Sequence, residues 1–348
     1  MKVLLIGGTG TISSAITRLA SQLGWQIYLL NRGKRKNEFN SANITHIECD
    51  IRYEDEKTIR EKLEKAIGKG NSFDTAAEFF AFVPDHVKKD FNILEGLCKQ
   101  YIFISSASAY QKPLSSFQIT ESTPLSNPLW QYSRDKIACE EYLMQKYRER
   151  GFPITIVRPS HTYDERSVPL GVHGSNGSFQ VLKRMMEGKP VIIHGDGSSL
   201  WTLTHNSDFA RAFIGLMGNI HAIGESVNIT SDESVTWNQI YQVIACALNV
   251  PLKAVHVASD FLDECSQGKY DFKGGLLGDK ANTVVFDNAK LKQLVPGFCA
   301  RVRMDEGIKL TVENVLANKD LQQEDPEFDA WCGKVIDALE SAKNRFKF

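Results

Sequence analysis

The chain reads as an α/β protein in which a doubly wound parallel sheet is followed by a smaller α/β lobe. Three observations predict this. Short apolar runs alternate with amphipathic helical stretches over the first 160 residues. A glycine-rich loop, Gly7-Gly8-Thr9-Gly10, joins the first run to the first helix. Beyond about residue 160 the alternation breaks into shorter pieces, as a second lobe built from insertions would.

The elements follow in order. Lys2–Ile6 is an apolar strand, and from Thr11 the residues Ile12, Ile16, Leu19, Ala20 and Leu23 keep helical spacing. Gln26–Leu30 and Ile44–Glu48 are strands, and Glu54–Ile67 is a charged amphipathic helix. Thr75–Val83 is a weaker strand because it carries Glu78. Asp85–Cys98 reads as a helix, Tyr101–Ser105 as a strand, Gln131–Arg150 as a long helix and Ile154–Val157 as a buried strand. Later, Val191–His194 and Leu200–Thr204 flank Gly195-Asp196-Gly197, which predicts a hairpin. Val227–Ile229 is a late sheet strand, Trp237–Leu248 a helix, and Asp325-Pro326 the N-cap and first position of a last helix reaching Asn344. This divides the chain into residues 1–160 with about 205–230, and a lobe of residues 161–204 and 231–348, with a cleft between.

Of 348 residues, 42% are apolar, enough for a sizeable core. A net charge of −1 and a pI near 6.7 give no global attraction to nucleic acid or membrane. Seven scattered cysteines without CxxC spacing read as reduced, packed thiols of a cytoplasmic protein with no metal site. The apolar run after Lys2 is too short for a signal peptide or a membrane span.

Glycines between a strand and a helix let backbone approach a pyrophosphate, while the helix N-terminus presents N–H groups to it. Gly7, Gly8, Thr9, Gly10, Thr11 and Ile12 therefore predict a dinucleotide cradle of Rossmann type, with Ser13 in the place of a third glycine. The second strand runs into Asn31-Arg32-Gly33-Lys34-Arg35-Lys36 rather than an acidic residue. An arginine there suits the 2′-phosphate of NADP over NAD, the other reading being a solvated basic loop. Asp50-Ile51, after the third strand, falls at the adenine end.

Tyr132 and Lys136 stand four apart and share a helix face, but so do Tyr53 with Lys57 and Tyr142 with Lys146. A phenolate at neutral pH needs a pKa lowered by about three units, and a close cation is one way to lower it. Upstream, Tyr101-Ile-Phe-Ile-Ser105-Ser106-Ala-Ser-Ala-Tyr110 puts serines at the carboxyl end of a strand, where catalytic groups gather in open α/β sheets. Taken with the loop at 7–13, the stretch Thr120-Glu-Ser-Thr-Pro-Leu-Ser-Asn-Pro128, Arg158-Pro159-Ser160-His161-Thr162-Tyr163 and Thr204-His-Asn-Ser-Asp208, this chain resembles the extended short-chain dehydrogenase/reductases of the NAD-dependent epimerase/dehydratase type.

That resemblance implies Ser106 as catalytic serine, Tyr132 as acid/base and Lys136 as its partner and nicotinamide-ribose contact, with Pro159 also at the cofactor. It implies hydride transfer at a carbinol or carbonyl carbon of a sugar or sugar-like molecule, and a homodimer built on the helices at 85–98 and 131–150. Trp201 stands where familiar members clamp a diphosphate with arginine, so a sugar or apolar ring stacked on its indole becomes the expectation. His161 is read as a substrate contact or a structural histidine, and Glu78 as lining the cofactor pocket or capping a loop. Residues 278–290 resemble an atypical branch near the chloroplast stem-loop-binding proteins, which keeps a second reading open: a cofactor-binding regulator or RNA-binding protein on the same fold. A near-neutral charge and an intact Ser106, Tyr132 and Lys136 weigh against it.

Overall fold

The structure, a computed structural model, describes residues 1–33 and 39–346. Strands Lys2–Ile6, Gln26–Asn31, Ile44–Glu48, Thr75–Glu78, Tyr101–Ile104, Ile154–Pro159 and Ser226–Ile229 form one seven-stranded sheet with every pairing parallel. Lys2–Ile6 lies between Thr75–Glu78 and Gln26–Asn31. The sheet order reverses direction there, and the crevice at that switch point is where open α/β sheets bind ligands.

Alternation along the strands explains the layers. Val3 and Leu5 pack with Ile16, Phe209 and Phe213 on one face, while Leu4 and Ile6 pack with Ile59, Leu63 and Phe91 on the other. Both faces are dry, so the strands read as continuous apolar runs. The 12-residue helix Thr11–Gln22 packs on Asn206–Leu216. The helix Glu56–Ile67 begins at Asp55, whose carboxylate accepts the Thr58 N–H. A third core gathers Tyr163, Leu182, Trp201, Trp237, Tyr241 and Phe328 from the later chain.

Some boundaries differ from the sequence reading. The fourth strand stops at Glu78, because Phe79–Val83 turns out of the sheet into the crevice, and its helix spans Pro84–Leu94. The expected hairpin around Gly195-Asp196-Gly197 is absent. Val191–His194 pairs in parallel with Ala254–Val257, and Leu200–Trp201 pairs antiparallel with Val235–Thr236. Gly195 and Gly197 both take positive φ, and the turn hands the chain from one two-stranded ribbon to another. The last helix begins at Asp325-Pro326 as expected, its cap accepting from the Phe328 N–H. Among the described residues no helix is long and apolar enough to cross a membrane.

Candidate active site

At the sheet's switch point lies a groove of about 350 Å³, lined by Gly7, Thr9, Gly10, Thr11 and Ile12 at its floor. Asn31, Arg32, Asp50 and Ile51 line it too, as do Phe79 and Phe80, which sequence reasoning did not single out. Gly7 has φ +84°, a conformation that L side chains resist. Gly8 faces the other way. A Cβ there would meet Leu29 Cδ2 at 2.6 Å, so Gly8 seats the helix on the strand and does not line the groove.

Ser13 does more than pack. Its hydroxyl donates to the Gly7 carbonyl and accepts from the Gly10 N–H, both at 2.8 Å, closing the loop on itself. Thr17 adds a bond to the Gly8 carbonyl at 2.8 Å. The first turn of helix Thr11–Gln22 contains no acidic residue, leaving its positive end open to an anion. A dinucleotide pyrophosphate fits this donor set.

At the far end, the Arg32 guanidinium stacks on Phe80 at 5.7 Å and lies 4.0 Å from Asp50. Asn31 accepts the Gly33 N–H at 2.9 Å, shaping the turn that presents Arg32. The basic residues 34–36 lie outside the described residues.

Ser106, Tyr132 and Lys136 converge where the strand Tyr101–Ile104 ends and the helix Gln131–Arg150 begins. The Ser106 hydroxyl lies near enough to the Tyr132 phenol to favour its ionised form. It is held by Ser108 Oγ at 2.8 Å, to which Ser133 donates at 2.8 Å. The Lys136 ammonium donates to the carbonyls of Ala81 and Ile104, both at 2.7 Å, and sits 5.7 Å from the Tyr132 ring centre. Ile104 itself lines the groove, which joins this trio to the cradle.

The electrostatics depart from expectation. Burial pushes the Tyr132 phenol up to about 12, and the neighbouring Ser106 hydroxyl only partly opposes it. Burial likewise pulls Lys136 down to about 8. The lysine faces two carbonyls rather than the phenol oxygen, so it does not create a phenolate; in this form Tyr132 carries its proton. Of the competing spacings, Tyr53 is 87% exposed, and Tyr142 packs edge-on to Phe91 at 6.4 Å, far from Ser106 in role and surroundings.

Four expected contacts lie off this groove. Trp201 is 4% exposed and rests on Trp237 at 5.8 Å, inside the later core, so it offers no open ring to a ligand. Its place in a strand paired with Val235–Thr236 turns it inward. Glu78 is fully buried, 3.0 Å from the Arg52 guanidinium, and accepts the Phe80 N–H. Arg52 also reaches Asp90 at 2.9 Å, and Tyr101 donates to Asp90 at 2.9 Å. Burial and then Asp90 push the Glu78 carboxyl well up. This network lies behind the groove wall rather than on it. Pro159 ends its strand opposite Ile229, away from the groove lining. His161 lines a second cavity of about 140 Å³ together with Thr11 and His173, and enclosure pulls its pKa to about 3.

A sequence model of the NAD dependent epimerase/dehydratase family matches residues 3–230, the stretch that builds the sheet and both halves of this site. The chain belongs to that family. It is an enzyme of the NAD-dependent epimerase/dehydratase kind. The 2′-dehydrokanamycin reductase of Streptomyces kanamyceticus is 25% identical over 293 residues, covering 80% of this chain and 78% of the relative. The chloroplast stem-loop binding protein of 41 kDa b of Arabidopsis thaliana is 27% identical over 266 residues, covering 72% and 64%. Among solved structures, the UDP-glucose 4-epimerase of Thermotoga maritima with UDP-glucose superposes with a TM-score of 0.68 at 23% identity, covering 91% of this chain and 99% of that one. At that identity the likeness speaks for the fold.

Proposed function

We propose that this family member transfers hydride between NAD(P), with NADP favoured, and a carbinol or carbonyl carbon of a sugar-like substrate, with Tyr132 as acid/base. The observation that carries it is the convergence of Ser106, Tyr132 and Lys136 beside Ile104, at one end of the glycine-loop groove. A bound dinucleotide supplies the hydride donor or acceptor.

The side chains supply the rest. Tyr132 holds its proton in the form described, which suits donation to a carbonyl oxygen as that carbon is reduced. Ser106, fixed by Ser108, shares the same oxygen and orients it. Lys136 keeps the crevice wall at Ala81 and Ile104 in register with the phenol. In the oxidative direction the step runs in reverse, and it is the deprotonated Tyr132, the phenolate left by donation, that takes the carbinol proton. Support for the sugar class comes from the similar proteins, whose names include UDP-glucose 4-epimerase and 2′-dehydrokanamycin reductase. The NADP preference rests on Arg32, and a homodimer through the helices at 84–94 and 131–150 is part of the same reading.

Turnover of the Tyr132→Phe variant is the test. It should fall by at least 10²-fold, the usual worth of a positioned acid/base, with cofactor affinity kept. Undiminished turnover would remove Tyr132 from the chemistry.

A further inference from the structure

The segment Phe79–Val83, between the fourth strand and its helix, is held residue by residue. Glu78 accepts the Phe80 N–H, the Ala81 carbonyl accepts from Lys136 at 2.7 Å, and His86 Nδ1 accepts the Phe82 N–H at 3.1 Å. Phe80 therefore has a fixed backbone beneath a ring that is 38% exposed at the groove. The ring also packs edge-on to Phe82 at 5.4 Å. The glycine loop comes up against the same residue, since a Cβ on Gly7 would lie 3.5 Å from the Phe80 Cβ. Phe80 thus joins that loop to the turn that carries Arg32.

Two guanidinium groups lie over the Phe80 ring. Arg52, 5.9 Å from the ring centre, has a buried side chain tied to Glu78 and Asp90, so it is not free to meet a ligand. Arg32, at 5.7 Å, is half exposed and lines the groove. The Asp50 carboxylate stands 4.0 Å from it, beyond hydrogen-bond reach, so this pair orients Arg32 without using up its N–H donors. An arginine on an open turn surrenders much rotamer freedom when it binds. Stacked on a ring whose backbone is pinned, Arg32 has already given up part of that freedom. Its planar edge stays clear for two parallel bonds to a phosphate.

We propose that Phe80 is a specificity-determining residue of the cofactor groove: its ring holds the Arg32 guanidinium in the pose that takes the 2′-phosphate of NADP, and so raises the preference for NADP over NAD without touching the phosphate itself. This deepens the NADP reading of Arg32 and rests on it. Glu78 and Arg52 are the supports, one through the Phe80 backbone and the other through the ring. A ring that served only as a platform for the adenine would help both nucleotides alike, because the adenine is common to them.

Paired calorimetric titrations of the full-length protein with NADP and NAD test it, read as the ratio of the two dissociation constants. Phe80→Leu keeps the apolar bulk and removes the flat face. It should lower the preference for NADP roughly two- to fivefold, the usual worth of an exposed cation–π contact. Phe80→Tyr keeps the face and should leave the ratio unchanged. In an Arg32→Ala background Phe80→Leu should shift the ratio no further, because the ring acts through the guanidinium. A Phe80→Leu loss shared equally by both nucleotides, an unchanged ratio, a Phe80→Tyr ratio as low as that of Phe80→Leu, or the same shift without Arg32 overturns the proposal. Phe80→Met, another flexible apolar chain without a flat face, serves in place of Phe80→Leu should that variant not fold. Arg32→Ala alone separates the two claims. If it shifts the ratio and Phe80→Leu does not, the NADP reading stands and the role of Phe80 falls; if it shifts nothing, both fall.

Discussion

Replacing Lys136 by methionine should make the protein more stable at neutral pH and inactive at the same time. The ammonium is 3% exposed, and its pKa falls from 10.5 to about 8, driven by burial. At 1.36 kcal/mol per pH unit, that difference costs the folded state about 3 kcal/mol wherever both states are protonated. Methionine removes this cost but strips the carbonyls of Ala81 and Ile104 of a donor, returning roughly 1 kcal/mol each. A net gain of about 1 kcal/mol remains at pH 7. The sign with pH follows from proton counting. Between about pH 8 and 10.5 the unfolded lysine holds a proton that the folded one has released, so the unsubstituted protein gains stability as pH rises, whereas the variant gains none from this group. Urea unfolding of both proteins at pH 7 and again near pH 10.5 reads the difference. The variant's advantage should shrink and then reverse by about 1–2 kcal/mol. A difference that stays flat across this range, or a variant already much weaker at pH 7, would refute the picture of a charge held against its own hydration.

Other substitutions probe the groove and its support. Gly8→Ala forces a Cβ against Leu29 at 2.6 Å and Thr17 at 3.2 Å, so it should cost about 1–3 kcal/mol in thermal unfolding and weaken cofactor binding as the loop lifts. Arg32→Ala should narrow or erase any preference for NADP over NAD in paired titrations, with little change in stability because the side chain is 48% exposed. Arg52→Met leaves Glu78 and Asp90 buried without their shared cation, and chemical denaturation should register a loss of about 3–5 kcal/mol.

Local pattern carried the reading as far as local pattern governs the fold. Strands such as Lys2–Ile6 and Tyr101–Ile104 are apolar on both faces and bounded by turn chemistry, so their neighbours in sequence announce them. The glycine loop and the stretches that carry Ser106, Tyr132 and Lys136 stood out for the same reason: each is a short contiguous motif. The later lobe obeys no such rule. His161–Tyr163 pairs with Leu203–His205, and Val191–His194 with Ala254–Val257, across 40 to 60 residues of chain, in ribbons too short to show a period. Trp201 looked available because its indole is chemically suited to stacking, yet only tertiary packing on Trp237 decides which way it points. Glu78 was a visible anomaly in an apolar strand. Its partner, Arg52, lies 26 residues upstream in a different loop, where no spacing rule links the two.

The four-membered network of Arg52, Glu78, Asp90 and Tyr101 bears on how this cofactor site can change over time or by design. Arg52 follows directly on Asp50-Ile51 in the groove wall, while its partners come from two sheet strands and a helix. Such a network is all or nothing, because removing one member strands the others in a dry interior. Neighbouring positions are therefore not free to vary one at a time, and effects of substitutions around residues 50–52 should be strongly non-additive with those at 78 and 90. Exchanging the groove's nucleotide preference by residue swaps at Arg32 and Asp50 alone works against a foundation set for the present loop. The loop and its four buried anchors have to be transplanted as one block.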